Sequence, residues 1–148
     1  MNAAPSRQEL TRIAGDVRRF LEGLWPEWHA LRGRVLPDPL SLGTCQTTSL
    51  FLVTVLREHG FDAAVAQGNA PGATEGYLHD GIWHGHAWVE CGGWIVDICA
   101  DQYGGPPVSI SPSDDPRYRT GRDTAYESAK RQRQKLASST LEAWRKRR

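Results

Sequence analysis

Apolar residues near the start of the chain fall at Leu10, Ile13, Ala14, Val17, Phe20, Leu21 and Leu24, with charged residues between them. That spacing is a single helical stripe, and it predicts an amphipathic helix over residues 7–24 packed on a core. Ser6 and Glu9 stand at capping-box spacing before it, and Pro26 is expected to end it. Residues 25–43 are punctuated by Trp, Pro and Gly and read as irregular. From Cys45 the run "CQTTSLFLVTVLREH" is apolar nearly all round in its middle, lacks alternation and is followed by Gly60. Its length favours a buried helix over a strand, with Thr44 as N-cap and Cys45 in the first turn.

Beyond Gly60 the period changes. Residues 62–68 suit a short strand, and 69–81, rich in Gly, Pro and Asn, a loop. Residues 82–91 and 94–100 read as two strands of a hairpin joined by Gly92-Gly93. "PPVSI" adds an edge strand near Val108, "SPSDDPRYRTGRD" a linker, and residues 124–147 a weakly amphipathic helix. Together these elements predict an α+β domain: a central helix on a small antiparallel sheet, with flanking helices.

The 148 residues, 39% of them hydrophobic, are enough for one core without staples. No run of about 18 apolar residues is present, so no membrane span is expected. The first ten residues lack the apolar stretch of a secretory signal. Three cysteines, Cys45, Cys91 and Cys99, are too few and too odd in number for a disulfide scaffold. They fit a reduced, cytoplasmic protein. The net charge of +1 hides an asymmetry. Residues 117–148 hold 11 Lys/Arg against 3 Asp/Glu, and residues 1–116 hold 7 against 14. The chain therefore divides into a body, 1–116, and a basic, helical extension, 117–148. Such an extension is either a solvated face or a surface for an acidic partner or nucleic acid.

The hairpin carries the chemistry. A two-residue turn at Gly92-Gly93 opposes Cys91 to Trp94, Glu90 to Ile95, Trp88 to Asp97 and His86 to Cys99. His86, Trp88, Glu90, Asp97, Cys99 and Asp101 then share one face, and Ala87, Val89, Val96 and Ile98 form the apolar one. His86 is a diagonal neighbour of both Asp97 and Asp101, and either carboxylate satisfies that geometry. A carboxylate behind an imidazole fixes its tautomer and stabilises imidazolium. The missing partner is a nucleophile. Cys45, at a helix N-terminus, is placed for it, because the dipole and free N–H groups favour thiolate.

The order Cys45, His86, Asp97, carried by "GTCQTTSLFLVTVLREHGFDAAVAQG", "HAWVE" and "GWIVDI", resembles the transglutaminase-like branch of the papain-like cysteine enzymes. The similarity spans roughly residues 41–104, within a catalytic domain of 1–116. It implies a papain/transglutaminase-like core with Cys45 as nucleophile, His86 as general base and acid, and Asp97 rather than Asp101 as orienter. It also implies thiol-dependent hydrolysis or acyl transfer at a peptide or protein amide, as in peptidases, deamidases and transglutaminases, with no metal or organic cofactor. Papain-like peptidases carry a Gln shortly before the Cys as an oxyanion donor. Here no Gln or Asn lies between Gln8 and Cys45, which leaves an upstream Trp N–H, from Trp25 or Trp28, as the substitute. Trp28, Trp88, Asp101 and Gln102 are the candidate substrate-binding or cleft-wall residues.

Competing readings are a buried structural thiol at Cys45 and a hydrogen-bonded strand histidine at His86. His84, His86, Cys91 and Cys99 supply zinc-ligand types, but without paired Cys-x-x-Cys the spacing is poor. The alternative function is a non-catalytic binding module whose basic segment grips an acidic partner or nucleic acid.

Overall fold

The computed structural model describes residues 4–69, 74–121 and 124–147, with the backbone alone for 124–128. It is an α+β fold with four α-helices and seven strands among these residues. Helix α1 (Arg7–Glu22) opens on the expected capping box: the Ser6 hydroxyl accepts from the Glu9 N–H, and the Ser6 N–H donates to the Glu9 carboxylate. The helix stops two residues before the expected Leu24. Pro26 then lies in the first turn of a second helix, α2 (Trp25–Leu31), in a stretch expected to be irregular. Proline has no N–H to offer α1, but at a helix start that donor would be unpaired anyway, so Pro26 begins a helix instead of ending one.

Helix α3 (Cys45–Glu58) is the central buried helix, and Cys45 is its first residue. Thr44 occupies the N-cap without capping through its side chain; its hydroxyl donates to the Ser41 carbonyl instead. At the other end Gly60 N–H donates to Arg57 and Phe61 N–H to Leu56, a Schellman closure. Helix α4 (Thr124–Lys146) packs along α3. Trp144 stands edge-on to Phe20 and Phe51, with centroids 5.2 and 5.9 Å away. Leu10, Ile13, Val17 and Leu21 of α1, Phe51, Val55 and Leu56 of α3, and Ala137, Leu141 and Trp144 of α4 share one core. Deleting the Phe51 ring from it would cost about 3–5 kcal/mol.

The four-stranded sheet runs β1 (Ala63–Gly68), β4 (His86–Cys91), β5 (Trp94–Asp97), β6 (Ser109–Pro112). The β4–β5 register is the expected one: Cys91 opposes Trp94, Glu90 opposes Ile95 and Val89 opposes Val96. Gly92 and Gly93 both have positive φ, 56° and 85°, which a tight hairpin of this twist requires. Val89, Val96 and Ile98 join the main core.

Several expectations are corrected here. The strand expected over 82–91 is broken at Gly85, so β3 (Ile82–His84) leaves β4 and joins β2 (Gly76–His79) and β7 (Tyr118–Arg119) in a second sheet, order β3-β2-β7. Strand β2 lies inside the expected 69–81 loop and β7 inside the expected 111–123 linker, while β6 is the edge strand expected from "PPVSI", running two residues into that linker. Of these segments, residues 70–73, 122 and 123 lie outside the described residues. The strand expected to reach residue 100 ends at Asp97, and Ala100–Tyr103 form a 3₁₀ turn. The second sheet covers the hairpin's other face. Ala66, Tyr77, Trp88, Ile95, Ala100 and Tyr118 make a small apolar cluster there, where a polar cleft wall was expected. Cys99, past the strand end, turns into the main core instead of joining that face.

Candidate functional site

The hairpin ends and the tip of α3 meet at one place. His86, at the first position of β4, and Asp97, at the last of β5, are both almost fully buried. His86 Nε2 lies 2.8 Å from Asp97 Oδ2. A carboxylate can only accept, so Nε2 carries the proton and Nδ1 is left for the other side of the ring. On that side the Gln102 side-chain nitrogen lies 3.2 Å from Nδ1, and the His86 side chain is near enough to Cys45 to act on its thiol. Cys45 is half-buried, while Cys91 and Cys99 are buried.

Asp97 is held at both oxygens. Its Oδ1 accepts the Cys99 N–H at 2.8 Å, and its Oδ2 also accepts the Tyr118 hydroxyl at 2.8 Å. Tyr118 comes from the segment read as a linker, and nothing in its local pattern marked it. A two-residue strand beside Pro and Asp lacks the alternation that identifies longer strands. The imidazole is surrounded by rings: Tyr103 at 5.5 Å, Tyr77 at 5.7 Å and Trp88 at 6.1 Å between centroids. Tyr103 in turn donates to the Gly85 carbonyl at 2.5 Å and stacks on His84 at 4.4 Å.

These contacts set the protonation states. Burial pushes the Cys45 thiol up, but the hydrogen bond and charge of His86, with the Ala87 N–H and the Gln102 amide behind them, bring it below its ordinary value. Burial pushes His86 down, and the charge and hydrogen bond of Asp97, followed by the Cys45 contact, outweigh it and raise the imidazole to about 10. Burial opposes ionisation of Asp97, yet His86, the Cys99 N–H and Tyr118 hold it below the usual carboxylate range. The other two thiols go the opposite way. Burial lifts Cys91 to about 11 and Cys99 well above the ordinary thiol value. The directions of these shifts favour a thiolate at Cys45 and an imidazolium at His86, with the Asp97 carboxylate behind it.

The remaining candidates divide. Gln102 is in the site. Its Oε1 accepts the Gly43 N–H at 3.1 Å, which aims its amide nitrogen at His86 and Cys45. Asp101 faces away from His86. It receives two hydrogen bonds of 2.9 Å from the Arg18 guanidinium and one of 2.7 Å from the Ser41 hydroxyl. Arg18 also donates to the Ile98 carbonyl and lies over the Trp25 ring. Asp101 thus ties the 3₁₀ turn carrying Gln102 to α1. Trp88 is buried between His86 and Tyr118 and offers no surface to a substrate. Trp28 is buried in the main core. The Trp25 indole N–H is taken by the Thr48 hydroxyl, 3.2 Å away, so it is not free as an oxyanion donor.

Among the described residues no group of three or more His, Cys, Asp or Glu side chains is arranged to hold a metal ion, and no helix is long and apolar enough to cross a membrane. Comparison of the chain with known protein families, with curated proteins and with solved structures returns no match.

Proposed function

We propose that this chain is a cysteine-nucleophile hydrolase or acyltransferase acting on an amide, with Cys45, His86 and Asp97 as its triad. The observation that carries this reading is the pairing of a lowered thiol at a helix tip with a buried imidazole locked to a buried carboxylate. A structural cysteine has no use for such a partner, and Cys91 and Cys99 show the raised thiols that burial alone produces. The reading matches the resemblance to transglutaminase-like and papain-like enzymes and would make the fold a member of that architecture.

In the proposed reaction the Cys45 thiolate attacks the amide carbonyl carbon and a tetrahedral oxyanion forms. The Cys45 backbone N–H, unpaired within α3 because it is the first helical residue, is one donor to that oxygen. The Gln102 amide nitrogen is the second, aimed by the Gly43 N–H on its Oε1. It supplies from downstream the side-chain amide that the sequence lacks upstream of Cys45. His86 Nδ1–H passes its proton to the leaving amine, giving a thioester on Cys45. Neutral His86 then takes a proton from water or an acceptor amine, which attacks the thioester and releases the thiolate. Asp97 keeps the ring's tautomer throughout, and Tyr118 and the Cys99 N–H keep Asp97 ionised.

The test is turnover of p-nitrophenyl acetate followed by intact-protein mass. A burst of one p-nitrophenolate per chain with an acetyl group on Cys45, absent in Cys45→Ala and His86→Ala, supports the proposal. No burst in the wild type, or an equal one in Cys45→Ala, contradicts it.

A further inference from the structure

Beside Cys45, at the amino end of α3, lies a small depression lined by Arg32, Arg34, Gly43, Thr44, Thr47 and Leu136. Arg34 packs its guanidinium over Gly43, so closely that a Cβ there would strike it. Gly43 has a positive φ of 81°, so both conformation and space reserve this position for glycine. Arg133 stands on α4 one turn before Leu136, near enough for its charge to act on Arg32. Its Nη1 is buried and has no hydrogen-bond partner among the described residues. Arg32 and Arg34, both exposed on the segment that follows α2, thus share this region with Arg133 of α4. Burial disfavours the charge on Arg32, and Arg34 and Arg133 disfavour it further, while the Cys45 thiolate is the negative charge set against it.

A cluster of like charges with an unpaired, buried guanidinium nitrogen is costly unless an anion completes it. The fork of arginine matches a carboxylate, and the amino end of the fourteen-residue α3 adds positive potential on the same side. Resting on the reading of Cys45 as the nucleophile toward an amide, we infer that Arg32, Arg34 and Arg133 form a carboxylate-binding subsite beside it, so that the preferred substrate is a peptide with an acidic side chain next to the attacked amide. A peptide passing Cys45 presents side chains on both flanks of the amide, and Asp or Glu is the residue whose carboxylate this cluster would hold. The subsite acts on binding: an acidic neighbour lowers KM, and the triad performs the same chemistry.

Two alkylating agents that differ in charge test it without a known substrate. Iodoacetate carries a carboxylate and iodoacetamide does not, and each displaces iodide with the Cys45 sulfur. The readout is the ratio of their rates at Cys45, iodoacetate over iodoacetamide. In the Arg32→Gln/Arg133→Gln variant that ratio should fall about tenfold at low ionic strength. Lysine at the same positions should retain most of it, and high salt should lower the wild-type ratio toward the glutamine variant's. A ratio unchanged by the glutamine substitutions, with the iodoacetamide rate preserved, overturns the subsite. The salt series on wild type stands in if the variant does not fold: a ratio independent of salt overturns the subsite equally. The iodoacetamide rate alone reports on the thiol. If it matches that of the urea-unfolded chain, the nucleophile reading fails, while the ratio still tells whether the arginines gather an anion.

Discussion

Tyr118 and His86 donate to the same oxygen of Asp97, each at 2.8 Å, from strands in different sheets. The buried carboxylate is where the two sheets are joined by polar bonds. Removing the hydroxyl in Tyr118→Phe leaves Oδ2 with one partner. A buried hydrogen bond to a charged group contributes about 1.5–3 kcal/mol, so denaturant unfolding should show a loss in that range. Tyr118 is a positioning residue. Its loss should also move the acid limb of the stability profile upward, because Asp97 loses one of the donors that hold its pKa down.

Asp97→Asn keeps the shape and removes the charge. His86 then loses the largest contribution raising it and is no longer imidazolium near neutrality. Acylation of Cys45 by an activated ester should drop by about 10³–10⁴-fold. The alkaline limb of ester turnover should no longer lie near 10. Stopped ester turnover and alkylation rates across pH check both.

Gln102→Ala separates two roles of that amide. Thiolate formation rests mainly on His86, so iodoacetamide should label Cys45 at nearly the wild-type rate. Acyl transfer loses an oxyanion donor and should fall about 10²–10³-fold. Equal losses in both assays would reduce Gln102 to a support of the thiolate alone.

The pH window follows from the directions of the shifts. His86 is raised to about 10, so its ion pair contributes stability that is complete below the ordinary histidine value and is lost as pH rises through about 10. Asp97 is depressed, so its contribution is present above the ordinary aspartate value and lost as pH falls through the native one. Activity should follow a bell, rising with Cys45 ionisation below the ordinary thiol range and falling near 10 as His86 deprotonates. Thermal unfolding and ester turnover across pH measure the two together.

Arg18→Met tests the brace behind the site. It leaves the Asp101 carboxylate without its bidentate partner, with Ser41 still bonded. Breaking a buried pair costs about 3–5 kcal/mol, and the slight exposure of both groups places this one near the lower end. Because Asp101 precedes Gln102, acyl transfer should fall as well as stability.

The hairpin was readable because its register depends on two glycines and a period of two, which fix every opposing pair. Helix α1 was readable because its stripe and capping box agree, and α3 because its apolar length exceeds any strand. Cys45, His86, Asp97 and Gln102 could be placed together from those elements. The second sheet could not be read. Strands of two to four residues carry too few positions for a period, and Gly85 splits an apparently continuous strand in two. That sheet brings Tyr118 and buries the face that holds Trp88, so both were invisible to local pattern. Diagonal geometry allows Asp101 as a second orienter of His86, and its place at the strand end suggests a cleft wall. The competing partner, Arg18, lies 83 residues away, a long-range pairing that no spacing along the chain encodes.

Ultraviolet thiolate absorbance, followed from acid to alkaline pH in wild type, Cys45→Ser and His86→Ala, addresses the central claim most directly. A thiolate already present at neutral pH in wild type, missing in Cys45→Ser and displaced to the ordinary thiol range in His86→Ala, is the predicted result. A wild-type curve that overlays Cys45→Ser until the alkaline region would contradict it.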